Sequence, residues 1–301
     1  MTEQKTFLTV FTSTYNRANT LKRTYESLRR QTDKDFEWLI VDDGSTDDTK
    51  AVVASWIKEE NEFPIRYIWK ENEGFHTGYN TAIANMDSEL AVCIDSDDYM
   101  PDDAVELIHR CWLLRGGNQY AGIVGLDYKT NGELIGCTFP ESMETINLIS
   151  FAQGKYGLKK GDKKIVVRTD LYKSVAPMRV FPGEKYFNPH YMHLEISRYF
   201  DFLTLNKCIC LVEYQTDGMG ANMYRQYKNS PNSFLEIRKQ HFSFSGNSVK
   251  SELKDGIHFV SSALLSHRFL DEYKKFHKKG LLILDFIPGV ILAVLTITKG
   301  K

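Results

Sequence analysis

Between residues 7 and 95 the chain keeps repeating one pattern: a short apolar run ends in a polar cluster, and a segment with helical spacing follows. "FLTVFTST" (7–14) is rich in β-branched and aromatic residues, and "ANTLKRTYESLRRQ" (18–31) places Leu21, Tyr25 and Leu28 on one helical face. "FEWLIVDDGSTDDTKAVVASWIKEE" repeats this with a strand over 36–41 and a helix from about Asp47, with Ser45 or Thr46 near its cap. "IRYIWKE" reads as a third strand and "TGYNTAIANM" as a third helix. "ELAVCID" is a fourth strand whose unbroken apolarity predicts burial on both faces. Alternation of this kind predicts an α/β fold with a doubly wound, mostly parallel sheet. Ligands of such sheets bind at the carboxyl ends of the strands, where this chain carries "TSTYNR", "DDGSTDD" and "DSDD". Three polar strand ends on one edge predict one site.

The third cluster is the most demanding, because "AVCIDSDDYMPD" aims a buried strand at Asp95, Asp97, Asp98 and Asp102. Neighbouring carboxylates repel unless a cation, hydrogen bonds or full solvation offset the repulsion, so the cluster is either a wet turn or a metal site. An EF-hand fails, since Tyr99 and Met100 stand where an oxygen ligand and a glycine are needed. No G-x-G-x-x-G follows the first strand and no G-x-x-x-x-G-K-[ST] occurs, which removes ordinary dinucleotide and P-loop enzymes. A formal net charge of −1 argues against nucleic acid as a partner. Five cysteines, with Cys208 and Cys210 on one strand face, fit a reducing cytosol. The opening "MTEQKTFLTVF" is too polar for a secretory signal, so the chain is expected to stay inside the cell. After residue 120 the pattern loosens: "AGIVGLDY", "KKIVVRTDLY" and "CICLVEYQ" are expected strands, and "YMHLEISRYFDFL" is an expected helix.

"TVFTSTYNRANTLKRTYESLRRQTDKDFEWLIVDDGSTDDT", "ENEGFHTGYNTAI" and "CIDSDDYMPDD", in that order, resemble the family 2 inverting glycosyltransferases, which have the GT-A (nucleotide-diphospho-sugar transferase) fold. The resemblance covers roughly the first 125 residues; "VFPGEKYF" and "VEYQTDGMGAN" look like segments of bacterial surface-polysaccharide members. It implies a D-x-D element at Asp95, Ser96, Asp97 and Asp98. Asp97 is the first choice as ligand of Mn²⁺ or Mg²⁺, and Asp95 or Asp98 holds the ribose or a metal-bound water. Hard oxygen donors suit those cations, which stabilise the charge on a departing diphosphate. It further implies that Ser13, Thr14 and Tyr15 contact the nucleotide base and that Asp43 accepts the uracil imide hydrogen. Asp42 holds the turn, and Gly44 supplies a backbone shape that a side chain would hinder. Arg17 is either an exposed helix start or a diphosphate partner. Gly74, His76 and Asn80 match the Gly, basic residue and Asn of the family pattern, with His76 facing a phosphate or sugar and Asn80 pointing the same way. Asp102 is expected to cap a helix over 103–114.

For the catalytic base, the family's acidic residue at the opening of a helix is replaced here by His190 in "FPGEKYFNPHYMHLEISRYF". Glu195, His190 and Glu184 are the candidates, with His193 a further possibility. The closing "GLLILDFIPGVILAVLTIT" is apolar but holds Asp285 and Pro288-Gly289, with lysines on both sides. It is expected to form two short segments dipping into one leaflet of the inner membrane, which makes the acceptor a lipid-linked glycan. The expected organisation is a GT-A domain over 1–216 and a helical C-terminal extension over 217–301. The rival functions are a nucleotidyltransferase, which would release pyrophosphate, and a non-catalytic sugar-nucleotide-binding protein.

Overall fold

In a computed structural model that describes residues 6–213 and 223–300, the four apolar runs become parallel neighbours. They are β1 (Leu8–Thr14), β2 (Phe36–Asp42), β3 (Ile65–Trp69) and β4 (Leu90–Cys93), joined by α1 (Ala18–Arg29), α2 (Thr49–Ile57) and α3 (Phe75–Asn85). The chain continues through α4 (Ala104–Arg115), β5 (Tyr120–Lys129), β6 (Thr145–Ile146), α5 (Leu148–Ala152), β7 (Lys163–Arg168), α6 (Thr169–Val175), α7 (His190–Ile196) and β8 (Asp201–Val212). One sheet of order β3-β2-β1-β4-β7-β5-β8-β6 results. Strands β1 to β4 are mutually parallel where they pair, and β7 runs antiparallel between β4 and β5. Every residue of β1 and β2 is buried, as expected of strands covered on both faces. On one side Tyr25, Trp56 and Trp38 stack between α1, α2 and β2, with Tyr25 and Trp56 ring centroids 4.4 Å apart. Because β2 and β3 lie on one side of β1 and β4 on the other, the sheet has its switch point between β1 and β4, the place where sheets of this kind bind their ligands.

Several local expectations give way to long-range contacts. Helix α2 starts at Thr49 after Asp48, and Ser45 belongs to the turn: its N–H donates to Asp42 Oδ1 at 2.7 Å and its hydroxyl accepts Asn16 N–H at 2.8 Å. Asp102 does not cap α4. Asp103 holds that position, and Asp102 pairs with Arg30 Nε at 3.0 Å. In "YMHLEISRYFDFL" the helix ends at Ile196 and β8 begins at Asp201, because Phe202 and Leu203 pair with β6. The pairing wins over the local helical period. The five cysteines are all free.

The described residues divide into two compact units, one of 6–178 with 192–213 and the other of 179–191 with 223–300. The expected domain boundary at 216/217, and most of "VEYQTDGMGAN", lie outside the described residues. The second unit holds α8 (Met223–Asn229), α9 (Pro231–Ser243), α10 (Val249–Leu265), α11 (Phe269–Lys275) and α12 (Lys279–Lys299). Leu235, Phe259, Val260, Ala263 and Leu282 form its core. Helix α12 corrects the expectation of two short segments, since it runs unbroken through Pro288. Gly289 is the reason for the Pro-Gly pair: a side chain there would collide with Val260 of α10. Asp285 is buried on the same face, against Gly256.

Glu184 also proves to be part of this unit's framework. It accepts from Asn232 N–H at 2.8 Å, Asn232 Nδ2 at 2.9 Å, Ser233 N–H at 2.8 Å and Ser233 Oγ at 2.6 Å. These four bonds fill the acceptor sites of a carboxylate and satisfy two otherwise unpaired amides at the start of α9, where negative charge is also favoured by the helix dipole. A base so occupied has no lone pair for a proton, which corrects the expectation of Glu184 as catalytic base. Glu184→Ala is expected to lower stability by about 2–3 kcal/mol, through the lost cap and unmatched amides. Denaturant unfolding of the pure variant checks this, and unchanged stability with lost turnover would restore the catalytic assignment.

Candidate active site

The carboxyl ends of β1 and β2 are stitched into one rim. Asn16, at φ 51°, accepts Thr46 N–H at 2.7 Å and Asp47 N–H at 3.3 Å through Oδ1. Asp42 accepts Ser45 N–H and, at 2.5 Å, the Tyr67 hydroxyl, and so holds the turn. Gly44 has φ 80°, and a side chain there would come within 2.8 Å of Asn72 N. Asp43 ties this rim to the loop before α3: Oδ1 accepts Lys70 Nζ at 2.8 Å and Glu73 N–H at 3.1 Å, and Oδ2 accepts Gly74 N–H at 2.8 Å. Gly74 reaches that position at φ 108°, a conformation that side chains disfavour. Nothing in the isolated strand pattern points to Lys70 as the partner of Asp43.

Inside the rim Thr14 is buried, and its hydroxyl has no hydrogen-bond partner among the described residues. Tyr15, by contrast, is 47% exposed, with its ring available for stacking. Ser13 lies under α3, where Gly78 leaves room for its hydroxyl and Phe75 O accepts from it at 3.5 Å. His76 stands in the first turn of α3 and is completely buried, so it is no solvated loop histidine. Asn80 does not point outward with it: Nδ2 donates to Met178 O at 2.9 Å and Oδ1 accepts Met178 N–H at 2.8 Å, making Asn80 a brace. Arg17 precedes α1, half-buried, and its charge acts on Asp97.

The four aspartates separate by environment. Asp98 is buried, accepts Glu213 N–H at 3.2 Å and lies 3.7 Å from Lys164 Nζ. Burial pushes its carboxyl up, and Lys164 opposes that. Lys164 is largely withdrawn from solvent; burial works against its charge, but Cys210, Asp127 and Asp98 outweigh this and hold it protonated. Asp127, on β5, is pushed up to about 6 by burial, against the pull of Lys164. Asp98 is therefore spent on a buried ion pair, which corrects its expected place in a metal shell. Asp95 and Asp97 are only half-buried, on either side of the buried Ser96. Burial and then the charge of Asp95 push the Asp97 carboxyl up. Two hard-oxygen ligands at one mouth fit Mn²⁺ or Mg²⁺. Among the described residues no three His, Cys, Asp or Glu side chains form a ready cage, so such an ion would need oxygens from its ligand as well. Lys164 and Asp127 escaped the sequence reading because their partners lie far off in the chain.

Of the remaining base candidates, Glu195 is forked by Arg198, with Nε 2.7 Å from Oε2 and Nη2 3.1 Å from Oε1. His190 opens α7, half-buried, with its N–H on Asn188 Oδ1 at 2.9 Å. His193 is buried, and its Nε2 lies 2.8 Å from the Tyr172 hydroxyl.

Comparison with known proteins agrees with this geometry. The family model "Glycosyl transferase family 2" matches residues 9–110, the span of β1 through most of α4. GlyA, a glycosyltransferase of Streptococcus pneumoniae, is 34% identical over 103 residues, which cover 34% of this chain and 14% of that protein. Chondroitin synthase of Escherichia coli is 35% identical over 100 residues, covering 33% of this chain and 14% of that protein. The chain thus matches about a seventh of the length of these curated relatives. Among solved structures, S. aureus TarS 1-349 in complex with UDP-GlcNAc superposes with a TM-score of 0.59 at 18% identity, covering 99% of this chain and 82% of that one. The mannosyltransferase PcManGT from Pyrobaculum calidifontis, in complex with GDP-Man and Mn²⁺, gives 0.60 at 14% identity, covering 97% and 88%. The chain thus has the GT-A fold, and its residues 9–110 match the family 2 glycosyltransferase model.

Proposed function

We propose that the protein transfers a sugar, with inversion, from a UDP-sugar to a hydroxyl of a lipid-linked glycan during bacterial surface-polysaccharide synthesis at the inner face of the cell membrane. The carrying observation is the half-buried pair Asp95 and Asp97 at the mouth of β4, the neighbour of β1, which ends in Thr14 and Tyr15. The Tyr15 ring offers a stacking face for the base, and the Thr14 hydroxyl a hydrogen-bond partner. Asp43 Oδ2 accepts one protein hydrogen bond, which leaves a lone pair for the single N–H of uracil. The UDP-GlcNAc complex of TarS supports the choice of a uridine donor, and the Mn²⁺ of PcManGT supports a cation. A divalent cation on Asp97 and Asp95 would supply charge neutralisation on the departing diphosphate. Arg17, close enough to act on Asp97, adds positive charge on the same side. Proton removal from the acceptor hydroxyl falls to α7, through Glu195 or His190.

The membrane reading rests on the inverted polarity of α12. Asp285, Gly289, Ala293 and Thr296 are buried in the protein, while Ile283, Leu284, Ile287, Ile291, Val294 and Ile297 are exposed. A water-soluble helix would do the opposite. Lys278, Lys279 and Lys299 bracket this face, suiting anionic headgroups. The relatives named as chondroitin synthases and hyaluronan synthase support a glycan acceptor.

Asp97→Ala is expected to abolish release of UDP from UDP-GlcNAc or another UDP-sugar while the melting temperature holds, since removing one member of a repulsive pair costs little stability. Full activity of this variant with Mn²⁺ would overturn the metal assignment; pyrophosphate as the product would overturn the reaction class. For attachment, the triple change Leu284→Gln, Ile287→Gln and Ile291→Gln leaves the buried face of α12 intact. It is expected to free the protein from phosphatidylglycerol vesicles in a sedimentation assay, whereas high salt alone releases only part of it. Equal pelleting of both proteins would show that the apolar face is not the attachment.

A further inference from the structure

A row of buried polar groups crosses the first unit and serves none of the contacts assigned above. His193 Nε2, on α7, lies 2.8 Å from the Tyr172 hydroxyl of α6, which lies 3.3 Å from the Tyr79 hydroxyl of α3. Tyr79 is buried beside Cys93 at the end of β4, and the Cys93 thiol donates to Asp95 Oδ1 at 3.8 Å. Phe11 meets both tyrosine rings edge-on, with centroids 4.7 Å and 6.3 Å away, so the surroundings are apolar. Phenylalanine at 79 or 172 would fill the same space without burying a hydroxyl, so packing alone does not explain these side chains. Burial pushes both tyrosine hydroxyls above their ordinary range and keeps them protonated as donors. With the imidazole hydrogen on Nε2, each link has one donor in one direction: His193 donates to Tyr172, Tyr172 to Tyr79, Tyr79 to the Cys93 sulfur, and Cys93 to Asp95.

We propose that Tyr172 and His193 are positioning residues for Asp95, acting through Tyr79 and Cys93, and that the affinity for a metal-bound diphosphate depends on the row being intact. This rests on the metal and nucleotide reading given above. A single weak S–H donor on Oδ1 orients the carboxylate and leaves Oδ2 to a cation. Partners of this kind, which fix a ligand without touching the ion, are worth about tenfold or more in metal affinity.

Calorimetric titration of the full chain with UDP, once with Mn²⁺ and once with EDTA, separates this role from a merely structural one. Tyr172→Phe is expected to weaken UDP binding about tenfold in Mn²⁺ and leave it unchanged in EDTA. His193→Leu should match it, and His193→Gln, whose amide N–H can donate to the Tyr172 hydroxyl, should restore the wild-type value. If Tyr172→Phe fails to fold, Cys93→Ala against Cys93→Ser asks the same question at the other end, with loss expected only in the alanine variant. Unchanged affinity in Mn²⁺, equal weakening in both buffers, or a fall in melting temperature alone would overturn the proposal. A wild-type chain whose UDP affinity ignores Mn²⁺ would instead strike down the metal reading on which it stands.

Discussion

Lys164 lies 3.7 Å from Asp98 and within electrostatic reach of Asp127, and the acidic mouth of β4 depends on it. A strand that ends in three aspartates would be driven apart by repulsion were all three ionised and bare. The lysine takes one of them out of the count, because Asp98 turns inward to it and to the backbone of Glu213 at the end of β8. Two half-buried carboxylates, Asp95 and Asp97, remain at the mouth of β4. The antiparallel insertion of β7 between β4 and β5 is what brings Lys164 there.

The same division of labour recurs around the rim. Asn80 and Glu184, site candidates by sequence, are engaged in holding backbone, at Met178 and at the start of α9, just as Asp42 and Asn16 hold two turns. Asp43 pins the loop to Gly74 through Oδ2, which accepts that one protein hydrogen bond. Such braces matter to a transferase because the groups that meet a diphosphate must already be in place when its charge develops. Tyr15 is exposed and Asp95 and Asp97 are half-buried, so all three retain access to solvent.

Helix α12 applies a different constraint. Its length and composition satisfy the requirement for a membrane span, but Asp285 is placed against α10, and Gly289 allows that approach, while Thr296 is buried as well. A helix with its polar groups turned inward and its branched apolar residues turned outward is matched to a nonpolar surface on one side only. The Pro-Gly pair, which in sequence suggests a break, is a packing device.

The parallel β1 to β4 core, the order of its helices and the gathering of three polar strand ends were determined by the sequence alone. Those features are local: a period of 3.6 or an unbroken apolar run needs no distant partner to be read, and parallel pairing follows from the alternation. The family pattern over residues 9–110 is likewise carried by contiguous motifs. What only the tertiary structure decided is which polar residue works outward and which inward. Lys164 meets Asp98 across 66 positions and Glu184 meets Ser233 across 49, and β8 claims Phe202 and Leu203 from a segment with helical spacing. A carboxylate's role is set by what lies within a few ångströms of it, and for these groups that neighbour is brought in by the sheet order and the packing of helices rather than by the chain on either side.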